Sequence, residues 1–268
     1  MFSGLPGRRI PTYVEAEQAE SLGCEGCRKG HALDFDFSMA FQPLVNLEEK
    51  SIYGYEALVR GLNDEPAFSI INRVDNHNIY RFDQTCRVKA IALAAEKGLT
   101  KRLSINFMPG AVYQPDICIK TTLAAAEKYG FPVDKITFEV VETDLIQDTA
   151  HLKKIIEYYK KVGFSTALDD FGSGFANLNW LADLSPDQLK LDMTLIRDIH
   201  KDRRRRVIVQ SVARLAEELG INLIAEGIEV KEERDCLADI GIVRQQGYFF
   251  SKPVFEQFCK VDPACFES

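Results

Sequence analysis

Glu56 in YGYEALVR, Glu139 in ITFEVVE, Asp169 and Asp170 in FSTALDDFG, and Glu226 in INLIAEG each stand at the end of a short apolar run. One carboxylate in such a place says little, because it can cap a helix or face solvent. Five at matching strand-to-loop junctions point to one metal-lined site, since hard cations take oxygen donors. Lys190, in DQLKLDM, alternates with apolar neighbours and is expected to turn into the same mouth beside Asp192. A buried lysine beside acids is ordinarily a structural ion pair.

The elements that must carry these residues alternate along the chain. Runs rich in β-formers are FDFSMAFQPLV, SIYGYEALVR, RLSINF, KITFEVVE, FSTALDD, QLKLDM, INLIAEG and QQGYFF. Helical periodicity covers residues 79–97, 117–129, 150–162, 204–219 and 231–240, with a weaker turn near 175–181. Strand alternating with helix implies a largely parallel sheet, and eight such strands imply closure into a TIM-like (β/α)8 barrel. One junction departs from the rule: residues 46–51 are far too few for a parallel crossover, so the first strand should run antiparallel to the second.

The chain has 268 residues, enough for one large α/β domain with a sizeable core. A hydrophobic fraction of 46 % with 27 % charged residues is ordinary globular composition. The formal charge of −7 disfavours non-specific binding to DNA, so a phosphate-bearing ligand needs bound cations and a few local basic residues. No apolar stretch approaches the roughly 20 residues of a membrane span, and the opening MFSGLPGRRIPTY lacks a secretory core, so a cytoplasmic location is expected. The cysteines, seven in all, are scattered and read as reduced core residues rather than a disulfide framework, Cys24 and Cys27 excepted.

Residues 1–34 read as an extension, residues 35–260 as the domain and residues 261–268 as a tail. The extension carries Cys24 and Cys27 with His31 close behind, half of a zinc or redox pattern with no second half at comparable spacing. The basic run from Arg203 to Arg206 opens an amphipathic helix among acids and reads as a solvated face rather than a nucleic-acid patch. Met193, Phe249 and Phe250 read as core, and Trp180 as packing beneath a loop or at a dimer surface.

Taken in order, QPLV, EALVR from Glu56 to Arg60, SINFMP, FEVVETD, LDDFGSGFANL, LKLD, IAEGIE and QGYFFSKP resemble the EAL family of cyclic di-GMP phosphodiesterases over about residues 35–255. The resemblance implies hydrolysis of one phosphodiester bond of cyclic di-GMP to linear pGpG, with Mg²⁺ or Mn²⁺ bound as two ions per site. It implies Glu56, Asn106, Glu139, Asp169, Asp170 and Glu226 as metal ligands, with Asp169 bridging. It places Lys190 against the attacking water with Asp192 as its partner, and implies Gln42, Leu58, Arg60, Asp170 and Gln246 as substrate contacts. Glu142 is implied to tie down the loop after Asp170, and Glu229 to support it. Within that loop Ser173, Phe175 and Ala176 replace the family's Thr, Tyr and Ser.

The resemblance also suggests a homodimer. A non-catalytic cyclic di-GMP receptor and a protein-binding EAL module are the alternatives, and such relatives typically lose metal ligands that are all kept here. The chain carries no GGDEF cyclase pattern, so an upstream sensor or cyclase partner is left unspecified.

Overall fold

The computed structural model describes residues 32–140, 149–173 and 178–267. Glu142, Cys24, Cys27, His31, Phe175 and Ala176 lie outside them, as does nearly all of the 1–34 extension. Strand β1 (Ser38–Asn46) is buried at every position and turns directly into β2 (Ser51–Arg60). Asn46 shapes the reversal, its Oδ1 accepting from the backbone N–H groups of Glu48 at 3.0 Å and Glu49 at 3.3 Å. The two strands pair antiparallel with Gln42 opposite Glu56, as the short junction predicts.

Beyond β2 come helices α1 (Ala67–Ile71) and α2 (Ile79–Glu96). Strand β3 (Arg102–Phe107) leads to α3 (Pro115–Cys118) and α4 (Lys120–Tyr129). There follow β4 (Ile136–Val140), α5 (Thr149–Val162), β5 (Ser165–Phe171), α6 (Leu178–Leu184), β6 (Gln188–Leu191), α7 (Met193–Ile196), α8 (Arg203–Leu219), β7 (Asn222–Ala225), α9 (Lys231–Asp239), β8 (Arg244–Gln246) and β9 (Val254–Phe255).

Strands β2 to β8 pair in sequence order and in parallel. β1 lies antiparallel between β8 and β2 and closes the barrel. The short β9, absent from the sequence expectation, continues the lane of β8 along Ala40 and Phe41 of β1. Apolar helix faces cover the outside: the Phe138 ring lies 5.8 Å from that of Phe107, 4.9 Å from Tyr159 of α5 and 5.1 Å from Phe164.

Several local expectations are corrected. Met193 is 44 % exposed because β6 stops at Leu191 and Met193 opens α7 instead of extending the strand. The expected strand 245–250 ends at Gln246, where Gly247 turns the chain against Ile228, which donates to Gln246 O and accepts from Phe249 N. Arg203 and Arg204 are solvated as expected, but the guanidinium groups of Arg205 and Arg206 donate to the carbonyls of Arg197 and His200. The final residues pack down: Arg234 donates to Cys265 O at 2.8 Å and Glu267 O at 2.7 Å, and Val261 is buried. Phe250 is buried, and Phe249 and Trp180 pack against the core.

Candidate active site

At the C-terminal ends of the parallel strands the acids converge on one ammonium. Lys190 Nζ in β6 lies 2.6 Å from Glu139 Oε2 in β4, 2.5 Å from Glu226 Oε1 just past β7, 3.1 Å from Asp169 Oδ1 in β5 and 3.6 Å from Glu56 Oε2 in β2. Lys190 and Glu139 are fully buried. Asn106, opposite Glu139 in the β3–β4 register, donates through Nδ2 to Glu56 Oε1 at 2.8 Å. Gln246 donates to Glu56 Oε2 at 2.9 Å and to Gln42 Oε1 at 3.2 Å, so both oxygens of Glu56 are oriented by neutral amides.

Adjacent residues of a regular strand point to opposite faces, which would separate Asp169 from Asp170. The β5–β6 register shifts between Leu168 and Phe171, and Asp170 adopts a left-handed φ of 52°. The irregularity turns both carboxylates toward the site, with Asp170 N–H donating to Asp169 Oδ1 at 3.0 Å. After Glu226 the chain needs a glycine: Gly227 has φ 70°, and a Cβ there would collide with Cβ of Met193.

Crowded acids out of water favour protonation, and their carboxyl groups shift accordingly. Glu139 is pushed up to about 8 by burial, with Glu56 and Asp169 adding to the rise and Lys190 opposing it. Burial and the neighbouring Asp169 hold Glu226 well above the carboxylate range. Asp170 rises to about 6 through burial, Asp169 and Asp192. Glu56 moves the other way: burial opposes ionisation, but Lys190, Gln246 and Asn106 outweigh it. The surrounding carboxylates overcome burial at Lys190 and raise its pKa, fixing it as a permanent cation.

These residues fit divalent cations. Glu56, Glu139 and Asp169 place oxygens within 4.8 Å of one another, as do Asp169, Asp170 and Glu226, so Asp169 belongs to both groups. Glu139 Oε1 is buried with no hydrogen-bond partner, a donor atom directed at nothing else. A single lysine cannot neutralise all these acids, and an all-oxygen donor set suits hard ions. A third group, Asp198, His200 and Glu233, is differently employed, because Glu233 already accepts from the backbone N–H groups of Asp198 and Glu229.

Two hollows flank the acids, and Glu56 lines both. One of about 310 Å³ is largely apolar, walled by Met39, Leu58, Ile71, Phe82 and Met108, with Asn106, Asp169 and Asp170 at its polar end. The other, about 240 Å³, is lined by Gln42, Glu226, Gln246 and Tyr248.

Leu58 lines the first hollow, and Gln42 and Gln246 line the second. Asp192 does not pair with Lys190: its Oδ1 accepts from Thr194 N–H at 2.8 Å and caps α7, because the strand ends one residue earlier. Arg60 donates to Val59 O at 2.7 Å and lies 3.8 Å from Asp64, lining neither hollow. Glu229 is paired with Arg197, tying the loop after β7 to the end of α7. Sequence reasoning missed Tyr248, 56 % exposed at the second hollow, although an aromatic directly after the turning Gly247 was a usable signal.

Comparison with known proteins gives a consistent picture. The family model described as "EAL domain" matches residues 31–253. A standalone versatile EAL protein from Vibrio cholerae O395, solved in a c-di-GMP-bound form, superposes with a TM-score of 0.86 at 53 % identity, covering 88 % of this chain and 100 % of that one. Klebsiella pneumoniae BlrP1, in a manganese/cy-diGMP complex, gives 0.78 at 32 % identity over 85 % of this chain and 58 % of its own. Cyclic di-GMP phosphodiesterase RocR of Pseudomonas aeruginosa is 29 % identical, covering 92 % of this chain and 64 % of RocR. The chain spans 53, 30 and 64 % of the length of three curated relatives it matches.

Proposed function

This chain belongs to the EAL-domain family, and on that premise we propose that it is a metal-dependent phosphodiesterase hydrolysing cyclic di-GMP to linear pGpG. The observation that carries this reading is Asp169, shared by two oxygen-donor groups between two hollows that share Glu56. A phosphodiester flanked by two nucleosides has the same layout.

Glu56, Asn106, Glu139, Asp169, Asp170 and Glu226 would hold two ions, Mg²⁺ or Mn²⁺, with Asp169 common to both. Bound there, such ions supply a water of lowered pKa and neutralise charge on the phosphate. Lys190 is held charged by its carboxylate neighbours, so it acts as a fixed cation that orients the attacking oxygen and stabilises developing negative charge, not as a base. Asn106 and Gln246 hold Glu56 in one orientation, and both are neutral, so they do so without adding charge.

Leu58 and the apolar wall of the larger hollow take one guanine, while Gln42 and Gln246 contact the other half. Arg60 reaches the substrate by leaving Asp64, which is itself exposed and 3.8 Å away, a long contact of the kind that contributes little. Asp170 contributes to substrate contact as well as metal binding, and Asp192 fixes the start of α7 beside it. The catalytic unit is residues 35–260, working as a cytoplasmic homodimer without DNA or membrane partners. Among the described residues no helix is long and apolar enough to cross a membrane.

The test is chromatographic: pGpG should form with Mn²⁺ or Mg²⁺, vanish with a chelator, and return when metal is restored. Binding of cyclic di-GMP without any product under either metal overturns the reading.

A further inference from the structure

At the wall of the larger hollow, α2 carries a buried ion pair that no step above uses. Asp83 Oδ2 lies 2.6 Å from Arg87 Nη2, and the two side chains are 2 % and 0 % exposed. Arg87 donates to the hydroxyl of Tyr159 at 2.8 Å and lies over the rings of Phe107, Phe138 and Tyr159. Burial raises the pKa of the Asp83 carboxyl, while Arg87 and a backbone N–H favour its charged form. A charge pair taken so completely out of water is often no more stable than apolar residues of similar volume, so its placement calls for another reason.

That reason lies in the other carboxylate oxygen. Asp83 Oδ1 accepts the N–H of Met108 at 3.0 Å, and Met108 is two residues beyond Asn106, where the chain leaves β3. Among the described residues the β3–β4 ladder runs to Phe107 opposite Val140, and the Met108 N–H just beyond it donates to Asp83. Asp83, Asn106 and Met108 all line the same hollow. Asn106, whose amide donates to Glu56, therefore sits in backbone that pairs with β4 and is followed two residues on by the N–H that Asp83 accepts.

We propose that Asp83 is a positioning residue for metal binding, acting through the Met108 N–H to hold Asn106 and, through it, Glu56. Arg87 and Tyr159 keep Asp83 aimed, so the network runs from α5 through α2 to the end of β3. The inference rests on the metal-site reading above, though its tests do not depend on turnover. Partners that orient metal ligands characteristically change metal affinity by about 10- to 100-fold when removed.

Two double variants of the full chain separate this role from simple stability. Asp83→Asn with Arg87→Met removes both charges but keeps an oxygen acceptor for Met108. Asp83→Leu with Arg87→Met removes the acceptor as well. Calorimetric titration with Mn²⁺ should give the Asn variant an affinity within about threefold of the parent, and the Leu variant one at least about tenfold weaker. The Leu variant should lower kcat more than it raises KM for cyclic di-GMP.

Equal Mn²⁺ affinities in the two variants, or a raised KM with metal affinity unchanged, would overturn the proposal; the second result would make Asp83 a substrate contact. A measurement on the parent protein needs no variant to fold. The Met108 amide should be strongly protected from hydrogen exchange, and free exchange contradicts the proposal. A parent that binds Mn²⁺ without making pGpG would sink the proposed reaction and leave these outcomes decisive for Asp83.

Discussion

Lys190 Nζ and Glu139 Oε2 lie 2.6 Å apart, both fully buried, on strands separated by β5. A buried ammonium and carboxyl at hydrogen-bond distance attract strongly when both are charged, yet each then loses its hydration, and removing one strands the other. This relationship makes the barrel mouth an electrostatic device before any ligand arrives.

Replacing the ammonium should therefore do more than weaken the fold. Lys190→Met is expected to lower turnover of cyclic di-GMP by about 10²- to 10³-fold, the usual loss when a preorganised cationic or donor group is removed from a transition state. Mn²⁺ should still bind, because the oxygen donors remain. Parallel calorimetry and product assays check this, and undiminished turnover removes Lys190 from the mechanism.

The carboxyl shifts set a pH dependence with a definite sign. Glu139 at about 8 and Asp170 at about 6 lie above their ordinary values of 4.5 and 3.8. A raised folded-state pKa contributes stability that is complete below the unfolded value and is lost as pH rises through the folded one. Without metal, unfolding free energy should fall from these groups between about pH 4 and pH 8. Metal ligands must be deprotonated, so Mn²⁺ affinity should rise across the same window. Denaturant unfolding and calorimetry at a series of pH values test both halves, and Mn²⁺ affinity that is flat from pH 6 to 8 contradicts the account.

Gly227 tests the geometry that delivers Glu226. Gly227→Ala places a methyl group against Met193 in a left-handed conformation. Loss of about 1–2 kcal/mol is expected from the backbone conformation alone, with more from the collision. Mn²⁺ affinity should fall with it. A variant with parental unfolding midpoint and parental metal affinity would show that the loop accommodates the side chain.

Gln246→Ala removes the donor to Glu56 Oε2 while leaving Asn106 on Oε1. We expect Mn²⁺ affinity to weaken by about tenfold, with kcat falling more than KM rises, since the amide orients a ligand. A change in KM alone would assign Gln246 to substrate contact only.

Much of this site is legible in the sequence, for identifiable reasons. An acid at the end of an apolar run marks a strand mouth, and residues 46–51 are too few for a parallel crossover, so the antiparallel β1 follows from chain length. What alternation cannot supply is the exception to it: nothing in FSTALDDFG announces the shifted register and left-handed φ that turn Asp169 and Asp170 to one side. The same limit misplaced Asp192, whose carboxylate turns to cap α7 because β6 ends at Leu191. Asp83 was invisible for another reason. An acid four residues before an arginine on a helix reads as a solvated pair, and its contact with Met108 spans 25 residues.

The most direct test incubates the purified chain with cyclic di-GMP and Mn²⁺ or Mg²⁺ and separates the nucleotides, with Glu56→Ala alongside. Linear pGpG should form with the parent and not with the variant. Binding of both Mn²⁺ and cyclic di-GMP by the parent, with no pGpG formed, would contradict it.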